Sequence, residues 1–573
     1  MIRCLPLLLC VIAFSAVAGE PEKLGRFEQE SLDQVLKEAK LEIHPEPAGK
    51  RVRKVRVINL EVFSQRDGFL RWFNIFHVTS DEQIVAQEVL LKGGDLFDQS
   101  LVDETIRRLK VPTLSNVVVA VAVKTPDPNQ VDLLVVTRDV WSLRLNSNFQ
   151  IQGDEITLLT ISLAENNFLG LRKQMAVTFN MGQGSYDIGP RYTDSNVAGT
   201  RMTLGAAAAM IFNRNTGKHE GTASSLSLAY PLWSLSRTMG GGISFAHYDG
   251  VYRRFQGTNL LPYDLRSTAR IESIPYEYRS RSFGISTYTV HSVGTKVKHH
   301  FRYGYEFSMS EAEALPGQFD DAIEQERFEN EILTPRTERS AGVWVGYRLF
   351  TPRFGKYRDL VTYDLREDYR LGPEFDTWIV SALRVLGSNT NHQRMAASAS
   401  WAFDAGMNSY LKLGASWHAR HQNRALVDQS VSTRFYGASP SINGWFRIVG
   451  RAGLNLRIAD SRNGFYSLGG DNGLRGYAIG QFTGKHRVRG NIELRSAPIA
   501  LSFLRLGGVA FWDTGHTAES LSDIRLRHDI GVGFRLLIPQ VNTHVLRVDW
   551  AFAFQGITAG WPGRITVGFF QVF

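Results

Sequence analysis

The C-terminal part of the chain alternates between apolar and polar residues with a period of two. In residues 546–554, one parity holds a leucine, a valine and three aromatic residues, and the other holds an arginine, an aspartate and two alanines. Similar stretches recur from about residue 155 onward, separated by Gly, Asn, Asp and Ser. This period predicts a mainly β chain that folds as a transmembrane antiparallel β-barrel, with one face toward lipid and the other toward a hydrated lumen.

A soluble β-sandwich is the alternative explanation of this alternation. A region of about 420 residues is large for one sandwich. A sandwich also buries its aromatic face and turns Lys and Glu toward water, whereas here the polar parity is rich in Arg, Gly and Asn. We find no run of about 18 apolar residues after the N-terminus, and strands that cross a membrane have to close because an open edge leaves backbone groups unpaired. The barrel is therefore favoured.

The first 50 residues predict a signal and a short helix. Residues 1–18 predict a secretory signal peptide, with a basic start, an apolar run and a small-residue cleavage site at Ala16–Ala18. Both cysteines, Cys4 and Cys10, lie within it, so we expect a mature chain without disulfides. Residues 19–50 predict an amphipathic helix followed by a proline-rich linker.

Residues 51–141 predict a separate α/β domain. Thr79 and Asp98 are suited to begin two helices. One β-rich run stands before these helices, and two stand after them, joined by a turn that contains two prolines. The predicted order is strand, helix, helix, strand, strand, and about 90 residues suffice for one small core.

The charge balance narrows the range of partners and activities. The formal net charge of +9 becomes +8 when Arg3 is removed with the signal, which contains no acid. A basic surface or lumen favours anionic lipids or polypeptides. We find no nucleic-acid motif, nucleophile motif or complete metal-ligand set, so we expect no nucleic-acid binding, no cofactor, no metal and no enzymatic activity. The catalytic alternative, a barrel enzyme built from scattered Ser, His and Asp, has no residue set that the sequence selects.

Four motifs follow one another along the predicted barrel. They are Asn166–Gly170, the segment Leu468–Tyr477, the stretch Phe511–Gly515 and the stretch Gly533–Arg535. In this order they resemble the BamA/TamA superfamily of outer-membrane barrels, the bacterial surface antigen family, although Leu474 stands where valine is usual. The resemblance implies a barrel over residues 150–573 with sixteen strands, five of them after a loop that folds into the lumen. It also likens residues 51–141 to a POTRA domain, a periplasmic unit that binds polypeptides.

The resemblance assigns roles to this loop and to the wall beside it. Glycines let the loop turn tightly and approach the wall, and Arg475 offers a rigid fork of donors that suits a carboxylate. Strand parity places Asp513 opposite Trp512, so it faces the lumen if Trp512 faces lipid. The resemblance implies that the loop arginine meets this acid, and we hypothesise an Arg475–Asp513 ion pair. The predicted loop motif is Gly473, Leu474, Arg475, Gly476 and Tyr477, and the predicted wall partners are Phe511, Asp513, Gly515, Glu493, Gly533 and Arg535.

The last strand carries a predicted insertion signal. In the resembled family, aromatic residues stand at the final position and two positions before it, with a glycine further back. Phe573, Gly568 and the polar Thr566 fit this pattern, whereas Gln571 stands where an aromatic residue is usual. We expect this strand to direct insertion into the outer membrane.

The resemblance predicts the function from the two predicted parts. A client protein would bind the N-terminal domain in the periplasm by pairing with an open strand edge, and would then insert or cross through the barrel seam or lumen. This predicts an outer-membrane protein assembly or translocation factor. Its expected partners are outer-membrane lipids and lipopolysaccharide, unfolded client proteins, and accessory periplasmic proteins or lipoproteins. The alternatives are a two-partner secretion transporter, and a passive channel, lipid-handling or structural barrel without insertase activity.

Overall fold

The computed structural model shows an N-terminal α/β unit docked on one end of a closed β-barrel. The predicted signal peptide, residues 1–18, lies outside the residues that the structure describes. No helix in the described part of the chain is long and apolar enough to cross a membrane. The described residues are 24–63, 68, 71–72, 74–75, 78–111, 114–152, 155–265, 273–333, 335–501, 503–554 and 563–569. The helices are α1 (Arg26–Ala39), α2 (Glu82–Gln87), α3 (Gln99–Leu109) and α4 (Ala322–Glu331).

The N-terminal unit, residues 24–141, is a three-stranded sheet with helices on both faces. Its strands are β1 (Arg51–Leu60), β2 (Ser115–Lys124) and β3 (Gln130–Asp139), in the spatial order β1-β3-β2. Strand β1 is parallel to β3, and β2 is antiparallel to it. Helices α2 and α3 pack on one face and α1 packs on the other, which explains why β3 is a nearly continuous run of apolar residues.

The prediction of a POTRA-like domain is wrong, because a POTRA domain is not evident in this unit. The observed element order after α1 is the predicted strand, helix, helix, strand, strand. That order is compatible with many small α/β units, so it does not identify a domain type. Here α1 covers the second sheet face through Phe27, Leu32 and Val35, all of which are buried.

The barrel wall consists of twenty antiparallel strands, so the prediction of sixteen is wrong. Fifteen wall strands precede the loop that contains Arg475, and five follow it. The wall strands before the loop are β4 (Leu143–Gln152), β5 (Glu155–Phe168), β6 (Lys173–Met181), β7 (Ser185–Asp194), β8 (Thr203–Asn213), β9 (His219–Tyr230), β10 (Met239–Arg253), β15 (Glu277–Val293), β16 (Lys298–Glu313), β17 (Thr337–Phe350), β19 (Arg366–Ala382), β20 (His392–Asp404), β21 (Tyr410–Gln422), β22 (Ala425–Ala438) and β23 (Phe446–Ile458). Those after it are β26 (His486–Ser496), β28 (Leu504–Ala518), β29 (Arg527–Leu537), β30 (Leu546–Ala553) and β31 (Arg564–Phe569).

The remaining strands are short segments outside the continuous wall. Two of them, β18 and β27, pair with the neighbouring wall strands β19 and β28. The others form three small hairpins, β11–β12, β13–β14 and β24–β25. The short strands are β11 (Phe255–Gln256), β12 (Asn259–Leu260), β13 (Pro262–Tyr263), β14 (Ile274–Pro275), β18 (Arg353–Arg358), β24 (Tyr466–Leu468), β25 (Phe482–Gly484) and β27 (Ile499–Leu501).

The two faces of the wall differ as the alternation predicts. In β29, Ile530, Val532 and Phe534 point outward with exposed fractions of 45%, 55% and 49%, while the inward Asp529 and Arg535 are buried. Outward-facing apolar residues with similar exposure occur all round the wall, from Leu145 and Leu163 through Val345 and Trp401 to Ile565. An apolar outer surface of this extent matches a hydrocarbon environment and not water.

A hairpin at one end of the barrel folds into the lumen. This inward hairpin, residues 353–371, comprises β18 and the first part of β19. Its tip crosses to the opposite wall, where Tyr363 packs against Leu537 and Val545. Arg495 of the wall donates through Nη1 to the Leu360 carbonyl at 2.7 Å, and Arg505 pairs with Asp364 at 3.0 Å.

The N-terminal unit covers the same end of the barrel, which we call the near mouth. Asn116 donates through Nδ2 to the Pro539 carbonyl at 2.6 Å, and the Trp141 amide donates to the Gln540 carbonyl at 2.9 Å. The unit also contacts the inward hairpin, because the Arg26 amide donates to Asp364 Oδ1 at 3.1 Å. Further contacts join it to the end of β5, to the β9–β10 turn and to β18.

The opposite end, the far mouth, carries the longer connections. Residues 313–337 contain α4, and Phe328 of this helix is fully buried. Phe328 packs with Leu265, Tyr276 and Leu333, which come from the connections at this end of the barrel. Although the segment is acidic, its buried apolar residues Phe328, Ile332 and Leu333 contribute to a small core.

Candidate functional site in the barrel lumen

The loop between β23 and β26 enters the lumen from the far mouth and packs against the inner wall. Leu468, Leu474 and Tyr477 form a small buried cluster within it. Gly473 has φ of 130°, a conformation that residues with a side chain rarely adopt. Leu474, which stands where valine is usual in the resembled family, fits here because it is fully buried in the loop's own core. The loop therefore holds its shape through both backbone and apolar contacts.

Arg475 lies at the centre of the contact between loop and wall. It binds Asp513 with two parallel hydrogen bonds, Nε to Oδ2 and Nη2 to Oδ1, both 2.8 Å. Its Nη1 donates to Glu493 Oε1 at 2.7 Å and to Asp549 Oδ2 at 3.0 Å. The guanidinium also stacks on Phe511, with Cζ 3.4 Å from the ring centroid. Every side-chain hydrogen bond that Arg475 donates to the wall therefore goes to a charged carboxylate.

The site is closed to solvent. Arg475, Asp513, Glu493 and Asp549 are each 0% exposed. A charge in such a position is stable only with partners that replace its hydration, and Arg475 has three carboxylates around it. The structure therefore brings together the loop arginine and the acid proposed from the motif, together with further groups.

A second set of arginines balances the surplus of negative charge. Arg535 Nη1 donates to Asp549 Oδ1 at 2.5 Å, and Arg547 Nη1 donates to Asp549 Oδ2 at 3.0 Å. Arg495 Nε donates to Glu493 Oε2 at 2.7 Å. We call Arg475 with these residues and Asp513 the latch network. It joins four successive wall strands, β26 and β28–β30, to the loop.

Two further loop residues contact the wall beside Arg475. The Gly476 amide donates to Asp529 Oδ2 at 3.1 Å, and the Tyr477 hydroxyl donates to the His528 carbonyl at 3.2 Å. A Cβ on Gly476 would come within 2.7 Å of Asp529 Cβ and 2.9 Å of the Ala553 nitrogen. Glycine is needed here because the backbone approaches the wall too closely for a side chain.

The two wall glycines of the predicted motif create space for their neighbours. A Cβ on Gly515 would lie 2.6 Å from the Val488 carbonyl oxygen and 2.8 Å from Leu468 Cδ2. A Cβ on Gly533 would collide with Asp549 Oδ1 and come within 2.7 Å of Arg535 Nη1. Gly515 therefore admits the loop's apolar cluster, and Gly533 admits the Arg535–Asp549 pair.

The predicted C-terminal residues lie at the seam, where the last wall strand meets the first. Thr566 is buried and faces Gln150 of β4, and Val567 faces Phe149. Gly568 is also buried, and a Cβ there would lie 3.2 Å from Asn148 Oδ1 of β4. The predicted final residue of the signal, Phe573, lies outside the described residues, so the insertion signal stays a prediction.

The motif reasoning missed several members of the latch network. Asp549, Arg547 and Arg495 were not predicted, and neither was Asn491, which donates to both Asp513 Oδ1 and the Gly473 carbonyl. Strand parity could have placed Asp549 on the lumen face, because this residue lies on the polar side of its strand. Register did not follow from parity, and it is register that sets Asp549 directly across from Gly533.

The site holds the loop to the wall through ion pairs and hydrogen bonds. Its donors and acceptors are consumed by one another, and the described residues contain no His, Cys, Asp and Glu group arranged to hold a metal ion. The Asn166–Gly170 motif lies elsewhere, at the end of β5 and in the following turn, where Asn167 donates to the Val78 carbonyl of the N-terminal unit. It serves the near mouth and not the latch network.

Comparisons with known proteins give similarity of overall form only. No family model matches the chain, and no curated protein does. Among solved structures, BamA from Haemophilus ducreyi lacking POTRA domains 1–3 is 13% identical, with 95% of this chain and 92% of that chain covered and a TM-score of 0.36. CdiB from Escherichia coli is 11% identical over 92% and 79%, with a TM-score of 0.40. BauA, the ferric preacinetobactin receptor from Acinetobacter baumannii, is 9% identical over 79% and 85%, with a TM-score of 0.37. Scores this low assign no function.

Proposed function

We propose that this chain is an outer-membrane factor that assembles or translocates client proteins. The apolar outer wall and the polar inner wall of the twenty-strand barrel support the membrane location. The near mouth, with its docked N-terminal unit, then lies on the periplasmic side, and the far mouth with its longer connections lies outside. The motif resemblance to the BamA/TamA superfamily supports the same orientation.

The observation that carries the proposal is the short seam. Among the described residues, β31 and β4 are paired only through Thr566 with Gln150 and Val567 with Phe149. The next pair along, β30 and β31, has six partner positions, and β4 and β5 have ten. Backbone groups at an incompletely paired edge favour addition of another strand. A client strand can therefore pair at this seam while the rest of the wall stays closed.

The contents of the lumen argue against a permanently open passive channel. The loop with Arg475 occupies it from the far mouth, and the inward hairpin occupies it from the near mouth, which the N-terminal unit covers. The latch network holds the loop with bonds that exclude water. An arrangement of this kind is suited to opening in response to a client.

A reversible lock across the seam tests the proposal. Phe149→Cys with Val567→Cys places two thiols at directly opposed positions, and no other cysteine is present beyond the predicted signal. We expect the oxidised variant, expressed in a strain lacking the chromosomal copy, to deplete particular outer-membrane proteins as the deletion does. Reduction of the disulfide should restore them, as measured by quantitative proteomics of outer membranes.

The matched control is a lock between two interior strands. Ala399→Cys with Ala415→Cys joins opposed positions of β20 and β21, far from the seam along the wall. This control should leave the outer-membrane proteome unchanged in both redox states. If the oxidised seam variant maintains the proteome as well as the control does, assembly through the seam is excluded. Conductance in planar bilayers, unaffected by clients, would then favour the passive-channel alternative.

A further inference from the structure

We infer that the lumen wall contains a binding site for a phosphate-class oxyanion, formed by Arg434, Arg451, Arg487 and Arg489. This arginine cluster lies on three adjacent strands, β22, β23 and β26. It adjoins the latch network through Arg451, which donates to Asn491, but its other three arginines lie outside that network, and the inference goes beyond the proposed function. The supporting observations are the register of the four residues, their partners and the open floor between them.

Register brings the four side chains around one glycine. Arg434 and Arg489 stand directly across from Gly453, one on each side. Neighbouring strands lie about 4.8 Å apart, so the two arginines are separated by about two strand spacings with no side chain between them. Arg451 is the next inward residue along β23, and Arg487 is the next along β26. Gly414 on the far side of Arg434 leaves further space.

Three of the four arginines have no carboxylate partner in the described part of the chain. No ion pair there joins Arg434, Arg487 or Arg489 to an acidic residue. Arg434 is exposed to the lumen and has no hydrogen-bond partner among the described residues either, and Arg489 Nε is shielded from solvent without a partner. The carboxylates of Glu493, further along β26, and of Asp513, on the neighbouring β28, are already engaged by Arg475.

Neutral oxygens accept hydrogen bonds from three of the four arginines. Arg451 donates to Asn491 Oδ1 at 3.0 Å, and Arg487 donates to Asn455 Oδ1 at 2.9 Å. Both Arg487 and Arg489 donate to Asn472 of the lumen loop, at 3.3 Å. Neutral acceptors satisfy hydrogen bonds but leave like charges close together, so an anion has a clear energetic advantage here.

A tetrahedral oxyanion fits this arrangement best. Guanidinium forks bind phosphate with paired hydrogen bonds, and several forks around one open floor can share its oxygens. A single carboxylate offers only two oxygens. Because Arg487 and Arg489 also hold Asn472, an anion that recruits them withdraws donors from the loop beside Gly473. The site thus links anion binding to the tightness of the loop.

Calorimetric titration with inorganic phosphate tests the inference on the detergent-solubilised full-length protein. We expect saturable binding to the wild type and a loss of about tenfold or more in affinity for Arg434→Gln and for Arg489→Gln. Arg434→Lys keeps the charge without the fork and should give an intermediate affinity. Arg424→Gln removes one exposed arginine from a far-mouth turn and should bind phosphate as the wild type does.

Three arms separate the sources of the signal. Chloride at matched ionic strength should produce no saturable heat, and an equal response to chloride overturns the inference. Glycerol 3-phosphate in place of phosphate reports whether a lipid headgroup enters the same site. Unchanged phosphate affinity in the folded Arg434→Gln variant overturns the inference. A preference of the wild type for a glutamate-rich peptide over both phosphate compounds also overturns it. None of these results depends on client assembly, so the seam experiment can fail independently.

Discussion

At the scale of single residues, Arg475 is the central contact between the lumen loop and the wall. Arg475 is fully enclosed and reaches three carboxylates, of Asp513, Glu493 and Asp549. Removing one partner of a buried ion pair leaves an uncompensated charge, which costs about 3–5 kcal/mol. The free energy of unfolding of this protein should therefore depend on Arg475 more than on any exposed arginine.

We predict that Arg475→Ala lowers the free energy of unfolding by about 3–5 kcal/mol, and that Arg475→Lys lowers it by less. Lysine keeps the charge but lacks the planar fork that binds Asp513 twice. Denaturant titration of the detergent-solubilised protein measures both. Arg384→Ala, on an exposed far-mouth turn, should change the value by less than about 0.5 kcal/mol.

A double-mutant cycle isolates the pair itself. Arg475→Ala combined with Asp513→Ala should cost less than the sum of the two single changes, because each removes the same two hydrogen bonds. Additive effects would contradict a direct role of this pair in stability. Coupling between Arg475 and Asp549 can be measured in the same way.

We predict that Gly476→Ala lowers the free energy of unfolding by about 1–3 kcal/mol through steric overlap. The new methyl group would meet backbone atoms of Phe552 and Ala553, which cannot rotate away. Gly508→Ala is the matched control on a nearby wall strand, since nothing lies within 4 Å of its added Cβ. A larger effect at Gly508 than at Gly476 would contradict the close approach.

The sequence could supply part of this site and not the rest. Arg475 and Asp513 were predictable because a motif marks one and strand parity orients the other. Asp549 and Arg495 were not, because parity selects a face of the wall while only register decides which inward residues meet. The arginine cluster around Gly453 escaped for the same reason, since its members are spread over three strands.

At the scale of elements, the inward hairpin is the feature that most changes the barrel. Its tip spans the lumen from β18 to the wall at Arg495 and Arg505. We predict that replacing residues 359–364 by an Asn-Gly turn raises single-channel conductance in planar bilayers, because the hairpin then no longer reaches the opposite wall. It should also increase hydrogen exchange in α1, which loses its contact with Asp364.

Shortening a different near-mouth turn controls for this change. The β15–β16 turn, residues 294–297, lies at the same end without crossing the lumen, and its replacement by Asn-Gly should leave conductance unchanged. Equal conductance of both variants would contradict the blocking role of the hairpin. If the hairpin variant loses exchange protection in α1 but keeps the wild-type conductance, the hairpin supports α1 without blocking the lumen.

The number of wall strands could not be predicted from the sequence. The five strands after the lumen loop follow from strong alternation and from the motif order, and the structure contains them. The fifteen before it contain few family markers, so the resemblance supplied their number and was wrong. Alternation identifies each strand as a wall strand but does not limit how many strands a barrel contains.

At the scale of the whole molecule, the N-terminal unit and barrel behave as one docked assembly. Asp103 of α3 pairs with Lys356 of the inward hairpin at 3.4 Å. We predict that a short bismaleimide crosslinker joins Asp103→Cys to Lys356→Cys in high yield, detected by a mobility shift on a denaturing gel. Asp103→Cys with Arg424→Cys, which uses an exposed far-mouth turn instead, should remain unjoined. Equal yields in the two variants would contradict a fixed docking position.

The fold class was within reach of the sequence, whereas the placement of the unit was not. The polar and apolar alternation predicted a membrane barrel, and the element order of residues 51–141 predicted a small α/β unit. Docking depends on a few polar atoms, such as Asn116 Nδ2 on the Pro539 carbonyl. Residues of that type occur throughout the chain, so no sequence pattern distinguishes the docking contacts.

The contacts of the inward hairpin give the protein a mechanical path from one mouth of the barrel to the loop that enters from the other. The Arg26 amide at the start of α1 donates to Asp364, the Leu360 carbonyl of the hairpin accepts from Arg495, and Arg495 binds Glu493, which binds Arg475 in the loop. Tension applied to α1 is therefore delivered to the loop through four hydrogen-bonded contacts. A pull at the near mouth can in this way be felt at the far mouth, without any solute passing between them.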